Sequence, residues 1–306
     1  MPAREAGIRY TADEQIVFPG ISIFYFSSHT QEVTLSEPPA GTKRLEIFHC
    51  REGRMECSVG DDYCYISPGD LLIAKAECIA SSFYLPMGHY HGLIIRIDIE
   101  KAPRCLSCLL QDVNVEPDRI AEKFCKETGF FVARSNPSFE HIFSELYEVP
   151  PQIKQGYCKI KILELMLFLS VYSMEENASQ ARTLSPSQVS LAKNVASYLT
   201  DHMEQRCTLE QAASMFHVSS SYIKSAFKAV YGVSFYAFLK ARKMESAAYM
   251  LEYTDKTILE IAGEHGYDNA GKFAGAFRSV KGMTPGEYRQ RNHKINGGVS
   301  KCKITS

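Results

Sequence analysis

The residues best suited to specific chemistry lie in two stretches of the C-terminal third. Ser220, Ser221, Lys224 and Ser225 share one helix face in SSYIKSAFKAVYG, with Lys228 a turn further on. Asn269, Lys272, Arg278 and Lys281 occupy the matching stretch NAGKFAGAFRSVKG. Lysine and arginine donate hydrogen bonds to anionic oxygens, and serine hydroxyls bond almost any polar edge. The charge distribution fits. From Ser185 onward there are 16 Lys+Arg and 10 Asp+Glu, against 18 and 25 before it, so a net −1 divides into +6 and −7. The basic part is the one expected to meet a polyanion.

Other reactive side chains make weaker patterns. Cys105 and Cys108 form a lone CxxC with no second CxxC or CxxH, too little for a metal or redox centre. Ten cysteines without an export signal read as reduced thiols, mostly small buried hydrophobes. His89 and His91 form HYH in a Gly- and Pro-flanked loop, and His49 stands alone in FHCREGRMECSV. No nucleophile elbow, phosphate loop or HExxH occurs, so no catalytic residue, metal or cofactor is expected.

The elements that position the cations form an internal repeat. TLEQAASMFHVSSSYIKSAFKAVYGVSF (208–235) matches TILEIAGEHGYDNAGKFAGAFRSVKGMTP (257–285). Leu209, Ala213 and Val218 align with Ile258, Ala262 and Tyr267; Ile223, Phe227 and Gly232 align with Phe273, Phe277 and Gly282. Each copy predicts a helix–turn–helix. A small alanine lets the helices cross closely. Ser219 and Asn269 cap the second helix, and Gly232 and Gly282 end it in the left-handed conformation. Tyr222, Ile223, Ala226 and Phe227 are expected on the buried face of the first copy. Between the copies, Phe235 to Leu251 contains no Gly or Pro and predicts a rigid linking helix buried at Phe235, Phe238, Leu239, Ala247 and Leu251.

At these residues the chain resembles a known family. About 195 to 292, with GMTPGEYR (282–289) closing the second copy, looks like the DNA-binding domain of AraC/XylS bacterial transcription regulators. The resemblance implies double-stranded DNA as partner, RNA polymerase as a second one, and a lean toward activation. It matches Ser220, Ser221, Lys224 and Ser225 to the family's base-reading positions. Two such units enter successive major grooves about 34 Å apart. Lys224 then donates to guanine O6 and N7, while Lys228 suits phosphate. The second copy departs from the pattern: Ala270, Gly271, Ala274 and Gly275 stand where long polar side chains would be. Asn269 and Lys272 remain as its base-readers, and Lys272, Arg278 and Lys281 anchor it to phosphate.

The first part of the chain reads as β. LEIFHC, MECSV, YCYI, DLLIAKA and HGLIIRIDI are short aromatic and β-branched runs separated by turn residues, the pattern of a small barrel or jelly roll. LEIFHCREGRMECSVGDDYCYISPGDLLI (45–73) resembles the cupin-like domain of many family members, which implies a small-molecule effector or a dimerisation role. His49, His89 and His91 are the effector candidates. Metal-dependent cupins need two His and a carboxylate on one strand pair plus a later His, a set missing here. A cupin enzyme with a DNA-binding tail is the alternative.

The expected class is therefore α+β. A cupin-like β-barrel spans 1–102 and a helical part 103–176. A linker (177–188), an all-α double helix–turn–helix domain (189–292) and a flexible tail (293–306) follow. The helix 153–175 reads as amphipathic in its first half and apolar on nearly every side in its second; a core helix against the barrel would show this, and it is expected also to form a homodimer through Ile160, Leu163, Leu167 and Val171. No apolar stretch approaches the roughly 20 residues of a membrane span, and MPAREAGIRY has no signal-like core, so a cytosolic chain without membrane contact is expected.

Overall fold

The computed structural model describes residues 10–36, 41–103, 115–174, 183–205 and 207–292. The chain divides into two compact units at Pro186/Ser187. Cys105, Cys108 and the expected tail 293–306 lie outside the described residues.

The first unit contains β1 (Tyr10–Phe18), β2 (Ile21–Ser28), β3 (Glu32–Thr34), β4 (Arg44–Gly53), β5 (Met55–Val59), β6 (Asp62–Ile66), β7 (Leu71–Lys75), β8 (Ser82–Tyr84), β9 (Tyr90–Asp98) and β10 (Phe130–Ala133). They pair antiparallel as a six-stranded sheet, β1-β2-β9-β4-β7-β10, and a four-stranded sheet, β3-β8-β5-β6. Three helices, α1 (Pro117–Cys125), α2 (Pro137–Tyr147) and α3 (Lys154–Val171), complete the unit.

The large sheet buries both faces. Leu45, Ile47, Leu71, Ile73, Leu93 and Ile95 pack with α1, α2 and α3. The alternating residues Phe48, Cys50, Leu72, Ala74 and Ile94 pack with Met55, Cys57, Cys64, Ile66 and Phe83 of the small sheet. Two-sided burial is why β4, β7 and β9 read as almost unbroken apolar runs. Of the expected barrel or jelly roll, it corrects the barrel. A barrel has one interior, whereas this sheet needs one face for helices and one for its partner sheet, so the two sheets remain open. Five strands in the described fold escape sequence reading. β1, β2 and β3 lie ahead of the first recognised run, and β8 is only three residues long. FFVA (β10) lies within the expected helical part, too short to show a period.

α3 is shorter than 153–175, ending where Tyr172 turns extended. Cys158, Ile162, Leu165, Met166 and Leu169 bury against the large sheet, with Leu163 and Leu167 half-buried on the same cluster. Ile160 (60% exposed), Phe168 and Val171 (78% exposed) stay open. Lys161 is buried in this apolar helix because Glu145 of α2 and Glu164, 2.7 Å away, pair with its ammonium.

Of the expected linker 177–188, the described part is not loose chain. Leu184 is buried and exchanges backbone hydrogen bonds with Tyr63 of β6 (3.0 and 2.8 Å). The next helix, α4 (Pro186–Asp201), starts inside the expected linker rather than after it.

The second unit continues with α5 (Leu209–Met215), α6 (Ser220–Tyr231), α7 (Phe235–Tyr253), α8 (Ile258–Glu264), α9 (Ala270–Lys281) and α10 (Pro285–Asn292). α7 is the linking helix. Phe235, Phe238, Leu239, Ala247 and Leu251 are buried as expected, together with Lys243, Met244 and Ala248. Phe273 and Phe277 of α9 join Met244, Ala247 and Leu251 in one apolar cluster.

Candidate nucleic-acid interface

The two repeats fold by the same local rules. Thr208 and Gln211 form a capping box at α5; Thr257 and Glu260 form the same box at α8. Bonds to Thr257 hold the Glu260 carboxyl below the usual carboxylate range. Each turn then closes identically: Val218 N–H donates to Ala213 O (3.0 Å), and Tyr267 N–H to Ala262 O (2.9 Å). The residue just before, His217 or Gly266, sits at φ +55° or +73°. Histidine tolerates this left-handed position better than a β-branched residue does. Ser219 and Asn269 accept from the N–H of Tyr222 (3.2 Å) and Lys272 (2.8 Å), and Gly232 and Gly282 end the second helices at φ +75°.

These constraints leave one face of α6 open. Ile223, Ala226 and Phe227 are buried, while Ser221, Lys224, Ser225 and Lys228 are exposed and Ser220 is half-buried. Tyr222 corrects the expectation: it is 38% exposed, outside the buried face. The repeat carries the signal that finds it, since an offset of 50 places Tyr222 at the position of Lys272. The same offset pairs Lys228 with Arg278. On α9, Gly271, Lys272, Gly275 and Arg278 are exposed, Ala270, Ala274 and Lys281 half-buried. Asn269 is exposed, but its Oδ1 already accepts from Lys272 N–H. A bidentate contact to adenine needs that oxygen as acceptor from N6, so capping competes with base reading at this residue.

The histidines of the first unit are placed differently. His49 is 5% exposed, stacks on Phe143 with centroids 4.1 Å apart, and bonds Tyr147 through Nδ1 (3.0 Å). Burial, helped by Arg51, pushes its pKa down to about 4. It is a core histidine under α2. His91 lies in β9 rather than in a loop, with Nδ1 2.8 Å from Ser27 Oγ, and His29 and His89 stand near it at ring distances of 5.0 and 6.5 Å. Burial followed by the neighbouring His29 lowers the His91 pKa. An open groove of about 290 Å³, lined by Asp13, Tyr25, Ser27, Arg51, His91 and Tyr147 among others, runs beside it. Among the described residues, no group of three His, Cys, Asp or Glu could hold a metal ion, and no helix is long and apolar enough to cross a membrane.

Two helix–turn–helix units joined by one long helix define the second unit as a DNA-binding module of the helix–turn–helix class. A helix–turn–helix domain family model matches residues 212–291. The matched C-terminal segment is a helix–turn–helix domain of the AraC type. The chain is 25% identical over 209 residues to the HTH-type transcriptional regulator YtdP of Bacillus subtilis (strain 168), covering 65% of this chain and 26% of that protein. It is 28% identical over 152 residues to the HTH-type transcriptional regulator YdiP of Escherichia coli (strain K12), covering 49% of this chain and 50% of that one. The C-terminal domain of AraT, a response regulator from Geobacillus stearothermophilus, is 31% identical, with 40% of this chain and 98% of that structure covered at a TM-score of 0.37. The chain thus spans half or less of the length of these two curated relatives.

Proposed function

We propose that the protein is a transcription regulator, an activator, that binds duplex DNA through α6 and α9 in successive major grooves. The observation that carries this is the repeated unit itself: equivalent caps and turns present two second helices, each with a cation at the same register, Lys228 and Arg278. α6 reads sequence. Lys224 bonds a guanine edge, and Ser220, Ser221 and Ser225 add adaptable contacts. α9 carries alanine and glycine where reading needs reach, so it serves mainly as a phosphate anchor through Lys272, Arg278 and Lys281. Binding-site selection with the protein tests this division. It should return one sharply specified half and one weakly specified half; two equally sharp halves would refute it.

The first unit regulates this binding. The exposed stripe Ile160, Phe168 and Val171 on α3, flanked by Leu163 and Leu167, is the homodimer surface. Val171→Asp should lower the sedimentation mass at micromolar concentration; a wild-type monomer under those conditions would contradict the assignment. A small-molecule effector binds this unit, with His91 and its groove the site favoured among the three histidine candidates, because His49 is sealed beneath α2 and His89 does not line the groove. Activation implies contact with RNA polymerase. The helix–turn–helix match over 212–291 and the names of the curated relatives support the regulator reading.

A further inference from the structure

The linking helix contains one buried cation that the DNA-facing surface does not use. Lys243 is 6% exposed, on the buried face of α7. Its Nζ donates to His265 O (2.9 Å) and to Gln205 O (3.3 Å). His265 is the C-cap of α8, in the second helix–turn–helix. Gln205 closes the turn after α4, whose Tyr198 packs edge-on against Phe216 at the end of α5, in the first. One ammonium therefore ties the C-cap of α8 to the turn that follows α4, segments from the two halves of the domain. Both partners are backbone carbonyls, and hydrogen bonds of this kind offset the cost of burying a lysine.

The packing around the ammonium is tight. A Cβ on Gly266 would lie 2.9 Å from Glu204 O and 3.2 Å from Lys243 Nζ. The left-handed glycine of the α8–α9 turn thus lets the chain segments at 204–205, 243 and 265–266 meet. His265 adds its own Nδ1 bond to Ile261 O (2.7 Å), fixing the turn that presents its carbonyl.

We propose that Lys243 is a positioning residue that sets the orientation of α9 relative to α6, so that both helices meet one duplex without further rearrangement. The proposal rests on the two-groove binding above. Linking two binding modules multiplies affinity about 10²- to 10⁴-fold when the geometry is already correct, and the gain falls as the joint loosens. Lys243 acts on that gain, not on either helix's own contacts.

The test uses the full-length protein and two duplexes, both built on the sequence recovered by selection with wild type. One of about 12 base pairs spans a single groove; one of about 25 spans two. Wild type should gain about a hundredfold on going from short to long. Lys243→Met should bind the short duplex like wild type but gain about tenfold or less, and Lys243→Arg should restore the gain. An undiminished gain in Lys243→Met overturns the proposal. So does an equal loss on both duplexes, which marks a general folding role, or a wild type that binds both alike. Failure of wild type to bind any duplex instead overturns the DNA-binding function itself. Should circular dichroism show Lys243→Met unfolded, Lys243→Gln, shorter but still a donor, replaces it under the same outcomes.

Discussion

Lys224, Lys228 and Arg278 share exposed helix surface, and their positions give them different tasks in the proposed complex. Lys224 lies between Ser221 and Ser225 on α6, the face that would meet base edges there. Lys224→Ala should weaken binding and relax preference at one or two base pairs, a discrimination of about 1–3 kcal/mol. Lys228→Ala and Arg278→Ala should weaken all sequences about equally and reduce the salt slope by roughly one each. A salt titration of the three variants separates the two behaviours; sequence-dependent losses in Arg278→Ala would remove it from the phosphate set. His49 makes a prediction of a different kind. Its folded pKa, about 4, lies below its unfolded 6.5, so the unfolded chain takes up the proton first. The contribution is intact above about pH 6.5 and is lost as pH falls toward 4, at up to about 1.4 kcal/mol per pH unit. Urea melts from pH 7 to 4 should show this loss, and His49→Phe should flatten it; an unchanged slope in the variant would assign the acid sensitivity to other groups.

At the scale of elements, the caps and turns of the repeat are what make its helices. Thr257→Ala removes one side of the α8 capping box and should cost about 1 kcal/mol. Gly266→Ala should cost more, because it combines a left-handed φ with a Cβ 2.9 Å from the Glu204 carbonyl. Thermal melts of the two variants rank them, and a Gly266→Ala protein as stable as Thr257→Ala would show that the turn relaxes freely. These features also mark what was legible. Ser219, Asn269, Gly232 and Gly282 are visible in the sequence because each role requires a particular residue type. The Thr-x-x-Gln/Glu boxes are equally visible, although pairing offsets alone do not draw attention to them. His217 was not legible, since histidine has no obligation to the left-handed region and only alignment with Gly266 marks it. Tyr222 was misplaced because an aromatic beside Ile223 resembles core; the repeat register, not hydrophobicity, assigns its face. In the first unit the apolar runs of β4, β7 and β9 announced strands but not the number of layers. The two-sided burial is written in those unbroken runs, but which layer covers each face is not, because an apolar run has the same appearance under helices and under a second sheet. Lys161 and Lys243 show the same limit, since sequence spacing does not disclose the carboxylates or carbonyls that let a lysine be buried.

For the whole molecule, the charge division agrees with the proposed roles: a basic helical unit to meet the polyanion, an acidic sheet-and-helix unit to regulate it. The central claim is that the helical unit binds duplex DNA by neutralising its phosphates. The most direct measurement is the affinity of the full-length protein for a duplex of about 25 base pairs between about 50 and 200 mM salt, with the triple variant Lys228→Ala/Lys272→Ala/Arg278→Ala beside it. Log affinity should fall linearly with log salt, with a slope shallower by roughly three in the triple variant. Binding that is absent at low salt, or equally steep in the triple variant, would contradict that claim.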